Sequence, residues 1–315
     1  MNPYVQPFSS FKRRFVATLT GCAIAGVLVA ACGVPAPPPR TQAASAAPTG
    51  DAKRGEYLSK IFACQDCHSV TGPDGITLAP ETIMSGGVPF TGPWGLVHAP
   101  NVTEMARGFN DANLSKVLRG QFVSLRVMPT KAFNLMAEQD MTDLIAYLRT
   151  LKPTPYDAPA NNLNGDFSVP PLNTPLPIPV TAPTGATVAR GEYLVTLAAC
   201  DGCHTPTDDK GNPVDGKWLA GGSFSFQDNE NRNITPPNLT PDKETGLSNW
   251  TDAQIEAALR HGKNPNGGQL YPFMPYASAF YAFTDEDVAA VIAYLRSIPP
   301  VKNEIPPNPD YKPGA

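Results

Sequence analysis

The sequence predicts a mainly α-helical protein made of two similar domains in tandem, joined by an irregular linker. Three observations predict it. The stretch RGEYLSKIFACQDCH (Arg54 to His68) returns as RGEYLVTLAACDGCH (Arg190 to His204) at a constant offset of 136 residues, which marks an internal duplication. Short segments with apolar residues at helical spacing recur in the same order in both halves. The 36 prolines among 315 residues exceed the roughly 5% of average usage, so long helices are excluded and much of the chain is turn and connection.

The elements follow in order. Residues 1–32 read as an export leader: Lys12, Arg13 and Arg14 precede an apolar run from Phe15 to Ala31. VAAC (Val29 to Cys32) closes that run and resembles a bacterial lipobox, in which Cys32 becomes a lipidated N-terminus. LTGC (Leu19 to Cys22) also matches but leaves too few residues after the arginines for an apolar core. Cleavage further on near QAASA, or an uncleaved anchor helix, are the other readings; a run of 17 residues is short against the ~20 needed to span a bilayer. All three place the body outside the cytoplasm, at the periplasmic face of the membrane. A Pro/Ala-rich tether, 33–50, joins this leader to the first domain, 51–152.

In that domain Tyr57, Leu58, Ile61 and Phe62 cluster at helical spacing ahead of the first cysteine pair. NDANLSKVLRG (Asn110 to Gly120) and LIAYLRTLKP (Leu144 to Pro153) supply further helices. A linker over 153–185 is rich in proline and lacks periodicity, and is expected to run extended across the domain surfaces. The second domain, 186–302, repeats the pattern: Tyr193, Leu194 and Leu197 precede the second pair, and Thr251 is placed as an N-cap ahead of Ile255 and Leu259. Thr284 caps a segment whose Val288, Val291, Ile292, Leu295 and Ile298 form an apolar stripe stopped by Pro299 and Pro300. A tail, 303–315, follows. Without the leader's three basic groups, 21 Lys and Arg face 28 Asp and Glu, a balance that excludes a nucleic-acid surface and suits a cationic partner.

The cysteines decide the chemistry. Two of the six, Cys22 and Cys32, lie in the leader; the body holds Cys64, Cys67, Cys200 and Cys203, each C-x-x-C pair followed at once by a histidine, His68 or His204. A zinc ribbon wants its pairs about 15–20 residues apart, whereas 132 residues separate Cys67 from Cys200. A dithiol switch of the thioredoxin type needs a strand and helix context that EYLSKIFACQDC does not supply. C-x-x-C-H is the attachment signature of c-type haem: thiols three positions apart lie on one face of a helical turn, each adding to one vinyl group of a single porphyrin. The histidine then takes one axial position on the iron, and two sites imply two covalently bound haem c groups.

The opposite axial position calls for a second ligand. RVMPTKAF places Met128 before Pro129, and YPFMPYASAF places Met274 before Pro275, at equivalent points ahead of each last helix. Met84, Met105, Met136 and Met141 have no counterparts in the second half and read as core fillers. His98 and His261 fall at non-equivalent places and read as loop or helix-end residues.

These features together resemble the class I cytochrome c family, and more narrowly the multihaem cytochrome c subunits that accompany periplasmic membrane-bound alcohol, gluconate and aldehyde dehydrogenases. The matching residues are the RGEYL helix, C-x-x-C-H, NLTPDKETGLSNWTDAQIEAALRHG, YPFMPY and FTDEDVAAVIAYLRSIPP. The resemblance implies two tandem class I cytochrome c domains, with short helices wrapped around each haem and first and last helices crossing near Gly55 and Gly191. By the same analogy Asn101, Asn238 and Trp250 stand near the propionates, with helix capping and core packing as the other readings. Those subunits usually carry three haems, and this chain has motifs for two.

The expectation is an electron carrier, not an enzyme in itself, passing single electrons to or from a dehydrogenase, a quinol-oxidising complex or a terminal oxidase. Its membrane attachment is through an N-terminal lipid or helix. Two alternatives stand beside it: a dihaem cytochrome c peroxidase, which needs one haem with a displaceable ligand, and a ligand-sensing haem subunit.

Overall fold

The computed structural model describes residues 49–70, 82–92, 94–122, 127–155, 158–165, 171–175, 177–208, 212–223, 225–228 and 230–312. The leader, with Cys22 and Cys32, and the tether up to residue 48 lie outside the described residues. The first half contains α1 (Ala52–Ile61), α2 (Cys64–His68), α3 (Val102–Gly108), α4 (Asp111–Leu118), α5 (Thr130–Phe133) and α6 (Glu138–Thr150). The second contains α7 (Val188–Leu197), α8 (Cys200–His204), α9 (Asp252–His261) and α10 (Asp285–Ser297), with a 3-10 turn over Phe280–Ala282.

Local chemistry sets where these helices begin. Asp51 accepts from the amides of Lys53 and Arg54 at the start of α1, and Thr187 does the same for Arg190 in α7. Thr251 and Gln254 form a reciprocal capping box on α9, and Thr284 accepts from the Asp287 amide of α10. Each such cap satisfies a donor that has no partner inside the helix. Helix α9 ends at Gly262, whose φ of 61° is the left-handed geometry glycine adopts without steric cost.

In each half the first and last helices cross with their backbones nearly touching. A Cβ at Gly55 would stand 1.9 Å from the carbonyl oxygen of Asp143 in α6, and one at Gly191 would stand 2.0 Å from that of Ala290 in α10. Around the first crossing Leu58, Ile61, Leu144 and Leu148 are buried; around the second, Leu194, Leu197, Val291 and Leu295. The apolar stripe expected on α10 is buried along its whole length, from Val288 to Ile298. An ion pair fastens each crossing, buried on both sides in the second half and with a half-buried arginine in the first. Arg190 meets both carboxylate oxygens of Asp287 at 2.8 Å, and Arg54 pairs with Asp140 and, at 3.1 Å, with Asp143.

Small sheets complete the fold. Strands β1 (Pro89–Gly92) and β2 (Gly95–His98) form an antiparallel hairpin, and β3 (Asn162–Leu163), from the linker, adds to β2 with Gly95 opposite Leu163. In the second half β4 (Phe226–Gln227) pairs with β5 (Asn233–Ile234). The linker lies on the first half: the carbonyls of Pro179 and Val180 accept from the amides of Glu138 and Gln139, two donors at the open end of α6, and the Leu172 amide donates to Gly120. The tail packs on the second half, with Asn303 donating to the Ala220 carbonyl and the Tyr311 amide to that of Gln269.

Candidate haem attachment sites

Both attachment segments are built the same way. Helix α1 ends at Phe62, and Ala63 then takes a left-handed conformation, φ 55°, before α2 begins at Cys64; Ala199 does the same, φ 52°, before α8 begins at Cys200. A non-glycine residue at positive φ is uncommon and costs roughly 1–2 kcal/mol, yet it recurs at the matching place in both halves. The sharp turn launches a five-residue helix carrying both thiols on one face and the histidine at its end.

The histidines are buried and oriented alike. His68 Nδ1 lies 3.0 Å from the Pro100 carbonyl oxygen, and His204 Nδ1 lies 2.8 Å from that of Pro237. A carbonyl only accepts, so Nδ1 carries the hydrogen and Nε2 is left as the ring's electron-pair donor. Burial lowers the pKa of both imidazoles, opposed by the hydrogen bond to the carbonyl, and favours the neutral form that ligates metal. The APN and PPN stretches that supply these carbonyls repeat in the sequence, but their role in fixing the histidine tautomer was not read from it.

All four cysteines are free and half-buried. Burial, with smaller contributions from nearby negative groups, pushes Cys64 and Cys200 up to about 12 and Cys67 up to about 11, and Cys203 moves the same way. A reactive dithiol needs the opposite shift. No group of three or more metal-ligating side chains occurs among the described residues, so a zinc knuckle has no support there.

Met128 and Met274 are half-buried, pack against the apolar core with Cys64 and Cys200, and begin matching turns. The Met128 carbonyl accepts from Thr130 at 2.7 Å and the Met274 carbonyl from Tyr276 at 2.8 Å; Pro129 and Pro275 then accept from Phe133 and Phe280. Met84, Met136 and Met141 are buried in the core. His98 lies in β2 and His261 is exposed at the end of α9. Asn101 caps α3 and donates to the Thr154 carbonyl. Asn238 accepts from the Thr240 amide and hydroxyl and donates to Thr245 and the Val301 carbonyl. Trp250 packs against the core, its carbonyl accepting from Arg296. Asn101 is thus a helix cap, Asn238 ties together loop segments, and Trp250 packs on the core.

Free thiols on one helical face, a neutral histidine beside them and a methionine against the same core suit an iron porphyrin. The family profile described as Cytochrome c matches residues 188–299. Cytochrome c2 of Fuscovulum blasticum is 31% identical over 133 residues, an alignment that takes in 82% of that protein and 36% of this chain. The chain belongs to the cytochrome c family. A cytochrome c carries its haem covalently, and the matched residues 188–299 include one of the two C-x-x-C-H segments, Cys200 to His204.

Two further relatives bear on the arrangement of this cytochrome c. A protein named Diheme cytochrome c-type, of Cereibacter sphaeroides, is 28% identical over 275 residues, covering 81% of this chain and 88% of the relative. The fructose dehydrogenase cytochrome subunit of Gluconobacter japonicus is 42% identical over 120 residues, 36% of this chain. That match spans only 23% of the subunit.

Proposed function

We propose that this cytochrome c is a dihaem electron carrier, with one haem c held by Cys64 and Cys67 and a second by Cys200 and Cys203. His68 and Met128 would hold the iron in the first half, and His204 and Met274 in the second. The observation that carries the reading is the duplicated attachment geometry, in which a left-handed alanine, a five-residue helix and a histidine fixed by a proline carbonyl occur twice. When bound, each haem supplies a one-electron couple whose potential methionine ligation raises.

The protein's contribution is attachment, orientation of the imidazoles and exclusion of water by the buried core. A dehydrogenase is the favoured electron donor, by likeness to the fructose dehydrogenase cytochrome subunit. A quinol-oxidising complex is a second class of donor, and a terminal oxidase is the matching acceptor. The site of action is the periplasmic face of the membrane, with the chain held there through Cys32 or the leader helix. Among the described residues no helix is long and apolar enough to cross a membrane.

The test is the mass of the full-length holoprotein together with its reduced carbon monoxide spectrum. Two covalent haems per chain and little carbon monoxide binding support the reading. One haem refutes it, and stoichiometric carbon monoxide binding with turnover of hydrogen peroxide favours the peroxidase instead.

A further inference from the structure

The two halves are joined by a reciprocal pair of tyrosines. Tyr57 of α1 donates to Asp287 Oδ2 at 2.5 Å in the opposite half, and its oxygen accepts from the Thr284 amide at 3.4 Å. Tyr193 of α7 donates to Asp140 Oδ2 at 2.9 Å, and its oxygen accepts from the Ala137 amide at 3.1 Å. Thr284 and Ala137 are the N-cap residues of α10 and α6. Asp287 and Asp140 stand three residues further on. Each tyrosine therefore closes the open end of the other half's last helix, the point where the segment carrying that half's methionine arrives.

A second contact falls on the same segment. Ser278, four residues after Met274, donates at 2.8 Å to Asp66, which lies between the two cysteines of the first half's attachment helix. Within its own half each methionine segment is also held at its far end. Arg119 donates to the carbonyls of Phe133, Asn134 and Met136, and Arg260 to that of Phe283. A ligand loop is held in place by the groups around it as much as by the ligand itself, and here Tyr57, Asp66 and Tyr193 come from the other half.

We propose that the two halves hold each other's methionine loops: Tyr57 and Asp66 position the loop carrying Met274, and Tyr193 positions the loop carrying Met128. The inference rests on the assignment of Met128 and Met274 as axial ligands. Tyr57 and Tyr193 are positioning residues, since each hydroxyl bonds a carboxylate and a backbone amide at the start of the other half's last helix. Their removal leaves the Arg54–Asp140 and Arg190–Asp287 pairs intact, so each half keeps its helix crossing.

The experiment is an imidazole titration of the oxidised full-length holoprotein, followed through loss of the methionine-to-iron charge-transfer band. The contribution of each half is assigned by its disappearance in Met128→Gln and in Met274→Gln. Tyr57→Phe lowers the imidazole needed to displace methionine in the second half severalfold, approaching the roughly tenfold effect of one lost hydrogen bond to a charged group, and leaves the first half unchanged. Tyr193→Phe gives the mirror pattern. Ser278→Ala, which touches neither tyrosine, changes the second half in the same direction as Tyr57→Phe. For Tyr57→Phe and Tyr193→Phe, effects confined to the substituted tyrosine's own half, or no effect in either, overturn the proposal while leaving the ligand assignment standing. A wild-type spectrum without the methionine band refutes the assignment and the proposal with it.

Discussion

Gly191→Ala sets two known effects against each other at one atom. Alanine is favoured over glycine inside a helix by about 1 kcal/mol, so α7 taken alone gains. The added Cβ, however, would stand 2.0 Å from the Ala290 carbonyl oxygen and 2.7 Å from Tyr294 Cβ. The nearer atom belongs to the backbone of α10 and cannot rotate away, so α7 and α10 must part. Overpacking a close-packed core costs about 1–3 kcal/mol, and a backbone collision belongs at the upper end. The net loss is about 2 kcal/mol, which at about 2–4 °C per kcal/mol for a compact unit of this size lowers its melting midpoint by roughly 6 °C. Differential scanning calorimetry of the holoprotein reads this directly. Gly108→Ala, at the end of α3 where a Cβ meets nothing within 4 Å, serves as the control and is expected to be neutral or slightly stabilising. A Gly191→Ala midpoint equal to or above wild type would refute the crossing geometry.

Two further outcomes follow from the buried charges. Burial works to raise the Asp287 carboxyl, but hydrogen bonds from Arg190 and Tyr57 and the positive charge of Arg190 outweigh it and hold the group below the ordinary carboxylate range. Its stabilising contribution is therefore complete above the unfolded value of about 3.9 and is lost as pH falls through the lower folded value. Asp287→Asn, which leaves the buried Arg190 uncompensated, is expected to cost about 3 kcal/mol at neutral pH and to flatten the acid limb of a stability-against-pH curve; an unchanged acid limb would contradict the pairing. Arg119→Met keeps the bulk of a side chain that is 3% exposed but removes the donor to three carbonyls. At about 1–3 kcal/mol for a buried group left unpaired, urea denaturation should show the first half weakened by roughly 3 kcal/mol. A loss under about 0.5 kcal/mol, the scale of an ordinary surface change, would show that those carbonyls find other partners.

Much of the fold was legible because it is local and repeated. The caps at Thr251 and Thr284, the stripe on α10 and both C-x-x-C-H segments are set by residues within a few positions of one another. Other features left no such trace. Strands of two to four residues are too short to establish an alternation, and β3 exists only because the linker passes β2. The carbonyls of Pro100 and Pro237 act through backbone atoms, which any residue type supplies. Tyr57 and Asp287 are 230 positions apart, and nothing periodic joins them. The Asn101 and Asn238 side chains were legible as polar residues near each site, but their hydrogen bonds to Thr154 and Val301 depend on where the chain returns.

The pairing of Tyr57 with Asp287 also carries a statement about order in time. Arg54 meets Asp140 across 86 positions and Arg190 meets Asp287 across 97, whereas the tyrosine that reaches between the halves bridges 230. Closing a longer loop costs more chain entropy before any contact repays it, and domains generally form as units, N-terminal first during synthesis. Each crossing of first and last helix is therefore an earlier event than the Tyr57 contact, whereas Tyr193, only 53 positions from Asp140, carries no such delay. A newly made chain passes through a stage in which both cores are closed while Asp287 still awaits its second donor, Tyr57.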